Sequence, residues 1–214
     1  MGQRKRRICS YATSASVSFL PSRDAFGFKN DFPQEPDVSI ARLHLGNAAS
    51  GLCGGMVYAA ADFYYAGVEI PKTILHPNPK SELFEYIVKR LLQSFTPMND
   101  ERYITWMRKS DSQLVTQSRV YLEDIRRKLL RGPVPVGLVT VRGSLKNIGS
   151  NHQVLAYACE GSTLRVYDPN SGPLNEIYIE VNDVISHNVA IEHPIRGLFT
   201  STYKQHTPPS FVHR

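Results

Sequence analysis

The stretch that most restricts what this chain can become is GGMVYAAADFYYA, residues 54–66. Met56, Val57, Ala59, Ala60, Phe63 and Tyr64 cover most of a helix's circumference, and a helix that is apolar nearly all round has to be buried on every side. Gly67 supplies a stop, with Pro71 soon after. The rest of the chain must therefore wrap this helix. With 214 residues there is enough for one sizeable core, and a hydrophobic content of 42% is ordinary for a folded domain.

Further helices are expected in the first two thirds. KSELFEYIVKRLLQSF, residues 80–95, carries Leu83, Ile87 and Leu91 on one face. A shorter helix fits NDERYITWMRK, capped by Asn99 or Asp100. QSRVYLEDIRRKLLR repeats Leu122, Ile125 and Leu129 at helical spacing and ends at Gly132-Pro133. The period then changes. PVPVGLVTV (133–141), QVLAYAC (153–159), TLRVYD (163–168), EIYIEV (176–181) and RGLFTSTY (196–203) read as strands with short links. Helices first and strands afterwards predict an α+β fold whose sheet is largely antiparallel. Residues 1–36 read as a tail and lead-in, 37–204 as a single domain, and 205–214 as a C-terminal tail.

The bulk numbers exclude several functions. The net charge of +6 is dispersed; Arg4-Lys5-Arg6-Arg7 and Arg126-Arg127-Lys128 with Arg131 read as a solvated tail and a solvated helix face. No basic stripe interleaved with aromatics argues for a nucleic-acid partner, and no apolar run is long enough for a transmembrane segment. Cys9, Cys53 and Cys159 are an odd number without regular spacing, so neither a disulfide framework nor a structural zinc site is expected. His44, His76, His187, His193, His206 and His213 are scattered, and no metal or cofactor is expected. Reduced thiols suit a cytoplasmic setting. The region YATSASVSFLPS imitates a signal peptide but holds four serines and a threonine; secretion stays open. The sequence sets no oligomeric state.

Three features carry chemistry. Cys53 stands where the buried helix begins, at free N–H groups and partial positive charge that stabilise a thiolate. Gly51, Gly54 and Gly55 would leave room for a substrate backbone. His152 opens a strand in SNHQVLAYA, placed to exchange a proton with a thiol. Asp168, with Asn170 as a possible auxiliary, follows in RVYDPNSG and would orient the imidazole. If Glu160-Gly161-Ser162 is a three-residue loop, 159 faces 163, Val154 faces Asp168 and His152 faces Asn170. His152 and Asp168 then share an apolar face with Val154, Ala156, Leu164 and Val166. A two-residue loop would turn Asp168 to the other face.

In this order the Cys, His and Asp resemble the papain-like cysteine peptidases, and most nearly the bacterial leader-processing peptidases that use Cys, His and Asp. The similar segments are residues 47–66 and LLRGPVPVGLVTV, NHQVLAYA and LRVYDPN within 129–171. The resemblance implies a papain-like fold and a thiol hydrolase acting on a peptide or protein substrate. It also implies an oxyanion-stabilising amide shortly before the cysteine, the position of Asn47, beside the Cys53 N–H. Two alternatives stand: an inactive papain-fold module that binds peptides around an inert core thiol, and an acyl transferase of the transglutaminase type.

Overall fold

The computed structural model describes residues 14–32, 52–173 and 176–210, and the backbone at 39–40 and 43–44. In chain order the elements are β1 (Ser14–Ser16), α1 (Pro21–Asp24), β2 (Ser39–Ile40), β3 (Leu43–His44), α2 (Cys53–Ala66), α3 (Glu82–Ser94), α4 (Pro97–Met107) and α5 (Asp111–Leu129). Then follow β4 (Val134–Val139), a 3-10 turn (Leu145–Ser150), β5 (His152–Glu160), β6 (Thr163–Tyr167), β7 (Ile177–Val181), β8 (Ile185–His187) and β9 (Gly197–Thr200). The class is α+β, helices against an antiparallel curled sheet.

Helix ends follow local chemistry. Gly67, with φ at 63°, closes α2, its N–H donating to the carbonyls of Phe63 and Tyr64. The Ser81 hydroxyl caps α3 by accepting from the Phe84 N–H. In α4 the cap is Thr96, followed by Pro97, not the expected Asn99 or Asp100. The helix α5 begins at Asp111, well before the apolar spacing becomes visible, because Ser110 and Gln113 form a reciprocal capping box.

The sheet runs β8-β7-β6-β5-β4-β9, with β1 paired to the far end of β5. Its two faces have different covers. Leu155 and Tyr167 join the core built around α2 and α3. Val154, Ala156, Leu164 and Val166 join Leu122, Ile125 and Leu129 of α5. Tyr103, Trp106 and Met107 of α4 complete a third cluster with Phe199. The N-terminal segment, read from the sequence as part of a tail and lead-in, belongs to the first core, since Phe19, Phe26, Phe28 and Phe32 are all buried there.

The β5–β6 hairpin departs from expectation in an instructive way. Its link is the two-residue one, because Glu160 pairs with Thr163 across Gly161 and Ser162, and Gly161 takes the left-handed φ of 56°. That register alone would turn Asp168 away. The ladder slips by one residue at Tyr157, however, and beyond it Ala156 pairs with Val166 and Leu155 with Tyr167. This extra residue in β5 is a β-bulge. It restores the register that the three-residue loop had been expected to supply.

Among the described residues no helix is long and apolar enough to cross a membrane.

Candidate functional site

Cys53 is the first residue of α2 and is 7% exposed. As the first helical residue, its N–H has no intrahelical acceptor. Burial alone would push its thiol up. The positive charge of His152, a side-chain hydrogen bond to His152, and the backbone N–H groups of Gln153 and Gly54 outweigh this and hold the thiol below its ordinary value. The buried Cys159 provides an internal contrast. Burial raises its thiol too, and the nearby Arg126 does not reverse the effect. Two buried thiols in one fold thus move in opposite directions, and the imidazole is the largest of the influences that lower Cys53.

His152 opens β5 and is 5% exposed. Its Nε2 lies 2.8 Å from Asp168 Oδ1. With Nε2 engaged by the carboxylate, Nδ1 is the nitrogen left for the sulfur. Burial favours the neutral ring, but the negative charge at Cys53 and the hydrogen bonds to Asp168 and Cys53 prevail and raise the imidazole to about 10. Each group thus favours the charged form of the other, which leans the pair toward thiolate and imidazolium.

Asp168 is fully buried, and its carboxylate is saturated with donors. Oδ1 accepts from His152 and from the Asn170 N–H at 3.0 Å, while Oδ2 accepts from Ser171 Oγ at 2.7 Å and the Ala190 N–H at 2.9 Å. Burial would raise this carboxyl, but these bonds hold it below its ordinary range. A carboxylate anchored on four sides fixes the imidazole plane and tautomer.

Asn170 assists from behind. Its N–H serves Asp168, its Nδ2 donates to the Ala190 carbonyl, and its Oδ1 accepts from Asn30 Nδ2. Asn47 and Gly51 lie outside the described residues. Gly54 and Gly55 do not serve substrate approach as expected. A Cβ on Gly54 would stand 2.7 Å from Ser94 Oγ and 2.9 Å from Gln153 Nε2, and one on Gly55 would collide with the Ile87 carbonyl oxygen. These glycines let α3 and β5 close on the start of α2.

Several supporting residues escaped the sequence reading. Tyr103 of α4 donates its hydroxyl to the His152 carbonyl at 3.0 Å. The Asn30 N–H donates to the Pro169 carbonyl at 2.9 Å, tying the N-terminal segment to the aspartate turn. The bond from Asp168 to the N–H two residues on is an Asx turn, legible in DPN. Tyr103, Asn30 and Ala190 come from distant parts of the chain and carry no local signal.

A cleft of about 650 Å³ opens beside His152, walled by Asn30, Thr140, Asn151, Asn170 and Glu192 among others. A hollow of about 710 Å³ lies at the other end of α2, by Phe63 and Gly67, away from the thiol. Among the described residues no group of three or more His, Cys, Asp or Glu side chains is placed to hold a metal ion.

Compared with protein-family models, with curated proteins and with solved structures, the chain matches none.

Proposed function

We propose that this chain is a papain-like thiol hydrolase acting on peptide or amide bonds. The observation that carries the reading is the continuous run of contacts from the Cys53 sulfur to the imidazole of His152 and on to the Asp168 carboxylate, with the thiol lowered although it is buried. Burial by itself accounts for an inert core thiol; it does not account for that lowering.

The chemistry follows from the protonation states. The Cys53 thiolate attacks the substrate carbonyl carbon, and negative charge collects on the carbonyl oxygen at the start of α2. There the Cys53 N–H and the helix's positive end stabilise it, with Asn47 proposed as the second donor. The tetrahedral adduct collapses as the His152 imidazolium gives its proton to the leaving nitrogen, leaving an acyl thioester on Cys53. A water then attacks the thioester while neutral His152 takes its proton, and the acid departs as the thiolate re-forms. Throughout, Asp168 holds Nε2–H, so that Nδ1 does the proton work.

The test is labelling of the native protein by iodoacetamide and by a cysteine-directed activity probe. Wild type should label at Cys53 at pH 6, where an ordinary thiol near 8.5 is almost wholly protonated. Cys53→Ala should abolish the label and His152→Ala should suppress it. A Cys53 that titrates like an ordinary thiol would instead favour the inert peptide-binding module.

A further inference from the structure

We infer that the cleft beside His152 receives the amine-side part of the substrate, and that Glu192 biases it toward a basic residue next to the bond that is broken. This rests on the reading of Cys53 as a nucleophile. The group that protonates the leaving nitrogen must touch it, so the leaving fragment occupies whatever space borders the imidazole. His152 itself lines this cleft.

The walls say what fits. Asn30, Thr140, Asn151 and Asn170 give an uncharged, hydrogen-bonding surface, held in place by its own bonds. Asn30 Nδ2 donates to Asn170 Oδ1 at 2.9 Å, Asn151 Oδ1 accepts from the Thr140 N–H at 3.1 Å, and the Thr140 hydroxyl donates to the Ser150 carbonyl at 2.7 Å. Ala190 and Ile191 complete the wall, so the cleft offers a peptide both hydrogen-bonding and apolar contact. Glu192 is the one carboxylate lining the cleft among the described residues and is exposed at its rim. A carboxylate there attracts a cationic side chain and repels an acidic one. Glu160, exposed at the end of β5 far from His152 and outside the cleft, supplies the charge-matched control.

No natural substrate is needed for the test. p-Nitrophenyl acetate acylates the thiolate: the C–S bond forms, the C–O bond breaks, and p-nitrophenolate leaves with the electron pair. With the thiolate consumed, the His152 imidazolium releases its proton to water. An added amine then attacks the thioester carbon, its proton passes to the neutral His152, and the C–S bond breaks to give an acetamide and the Cys53 thiolate. Water competes for the same thioester. The α-amides of arginine, glutamine and glutamate are supplied at equal concentration, and the acetylated products are counted relative to capture from a small-molecule thioester.

Argininamide should capture severalfold more acetyl than the glutamate amide, with the glutamine amide between them. Glu192→Lys should invert the order, and Glu160→Lys should leave it unchanged. Equal capture of the three amides, or an order that Glu192→Lys does not alter, overturns the inference about the cleft while leaving the nucleophile intact. Absence of a nitrophenol burst that depends on Cys53 removes the nucleophile reading itself, and the inference with it.

Discussion

The hydroxyl of Tyr103, buried in α4, donates to the backbone carbonyl of His152 at 3.0 Å, so a helix distant in sequence fixes the strand that carries the imidazole. Its place is made by Gly137 on β4, where a Cβ would stand 2.7 Å from that hydroxyl. Tyr103→Phe keeps the ring and loses the bond. A cost of about 1 kcal/mol in denaturant stability is expected, the usual worth of a buried hydrogen bond. The alkylation rate of Cys53 should fall only modestly. An unchanged midpoint in urea would mean that this bond does not anchor the strand.

Asp168→Asn should be more damaging. The amide replaces an acceptor oxygen with a donor amid the donors from Asn170, Ser171 and Ala190, and leaves at least one of them unpaired. A loss of about 1–3 kcal/mol follows from that unpaired group. His152 should titrate lower by NMR, and Cys53 should alkylate more slowly at pH 6. If the imidazole titration stays where it was, the carboxylate is not what holds the ring charged.

The pH response has a definite sign. The lowered Cys53 contributes stability above its unfolded value of about 8.5 and loses it as pH falls through the depressed one. The raised His152 contributes fully below its unfolded value of about 6.5 and loses it as pH rises through about 10. The depressed Asp168 contributes above about 3.9 and loses it as acid carries pH through its lower folded value. The melting-temperature gap between wild type and His152→Gln should therefore narrow as pH rises through about 10. Removing the imidazole should also carry the Cys53 titration above the ordinary thiol value, because burial then acts with less opposition. A Cys53 titration that moves downward in that variant would contradict the account.

A second charged cluster predicts stability without reactivity. Asp62 of α2 and Arg90 of α3 are both buried, with Arg90 Nε 2.6 Å from Asp62 Oδ2. The same carboxylate accepts from Tyr86 Oη at 2.8 Å, Tyr203 Oη at 2.6 Å and the His206 N–H at 2.9 Å. Asp62→Asn leaves the guanidinium buried without its counter-charge and should cost about 3–5 kcal/mol. Folded protein recovered at low temperature should still alkylate Cys53 at the wild-type rate. A selective loss of labelling would show that this cluster reaches the site.

Much of this architecture was legible because its signals are local. Helix α2 announced itself by its apolar circumference, and the shift from helical spacing to alternation marked where the sheet begins. The start of α5 is invisible to apolar spacing, because the polar pair Ser110 and Gln113 sets it. The hairpin register is not legible in sequence because a bulge has no residue type of its own: Tyr157 looks like any other strand residue, and only pairing with β6 reveals the slip. Cys53, His152 and Asp168 could be put in order because each sits at the end of a recognisable element. Tyr103, Asn30 and Ala190 could not, since their partners lie 49, 140 and 22 positions away.

Gly55 offers a packing test beside the thiol. Gly55→Ala drives a methyl group against the Ile87 carbonyl, which belongs to the backbone of α3 and cannot swing aside. Forced overpacking of this kind costs about 1–3 kcal/mol or more. Gly54→Ala meets only the side chains of Ser94 and Gln153 and should cost less. Equal losses in urea would place α3 farther from α2 than described.

Asn30 holds the turn around Asp168 from one direction and Ala190 from the other, a fact with a temporal side. During synthesis the sulfur emerges long before its imidazole, and the imidazole before the turn that steadies it is stitched shut. On the proposed reading, a nascent polypeptide holds its nucleophile without a steadied partner until translation has passed Ala190.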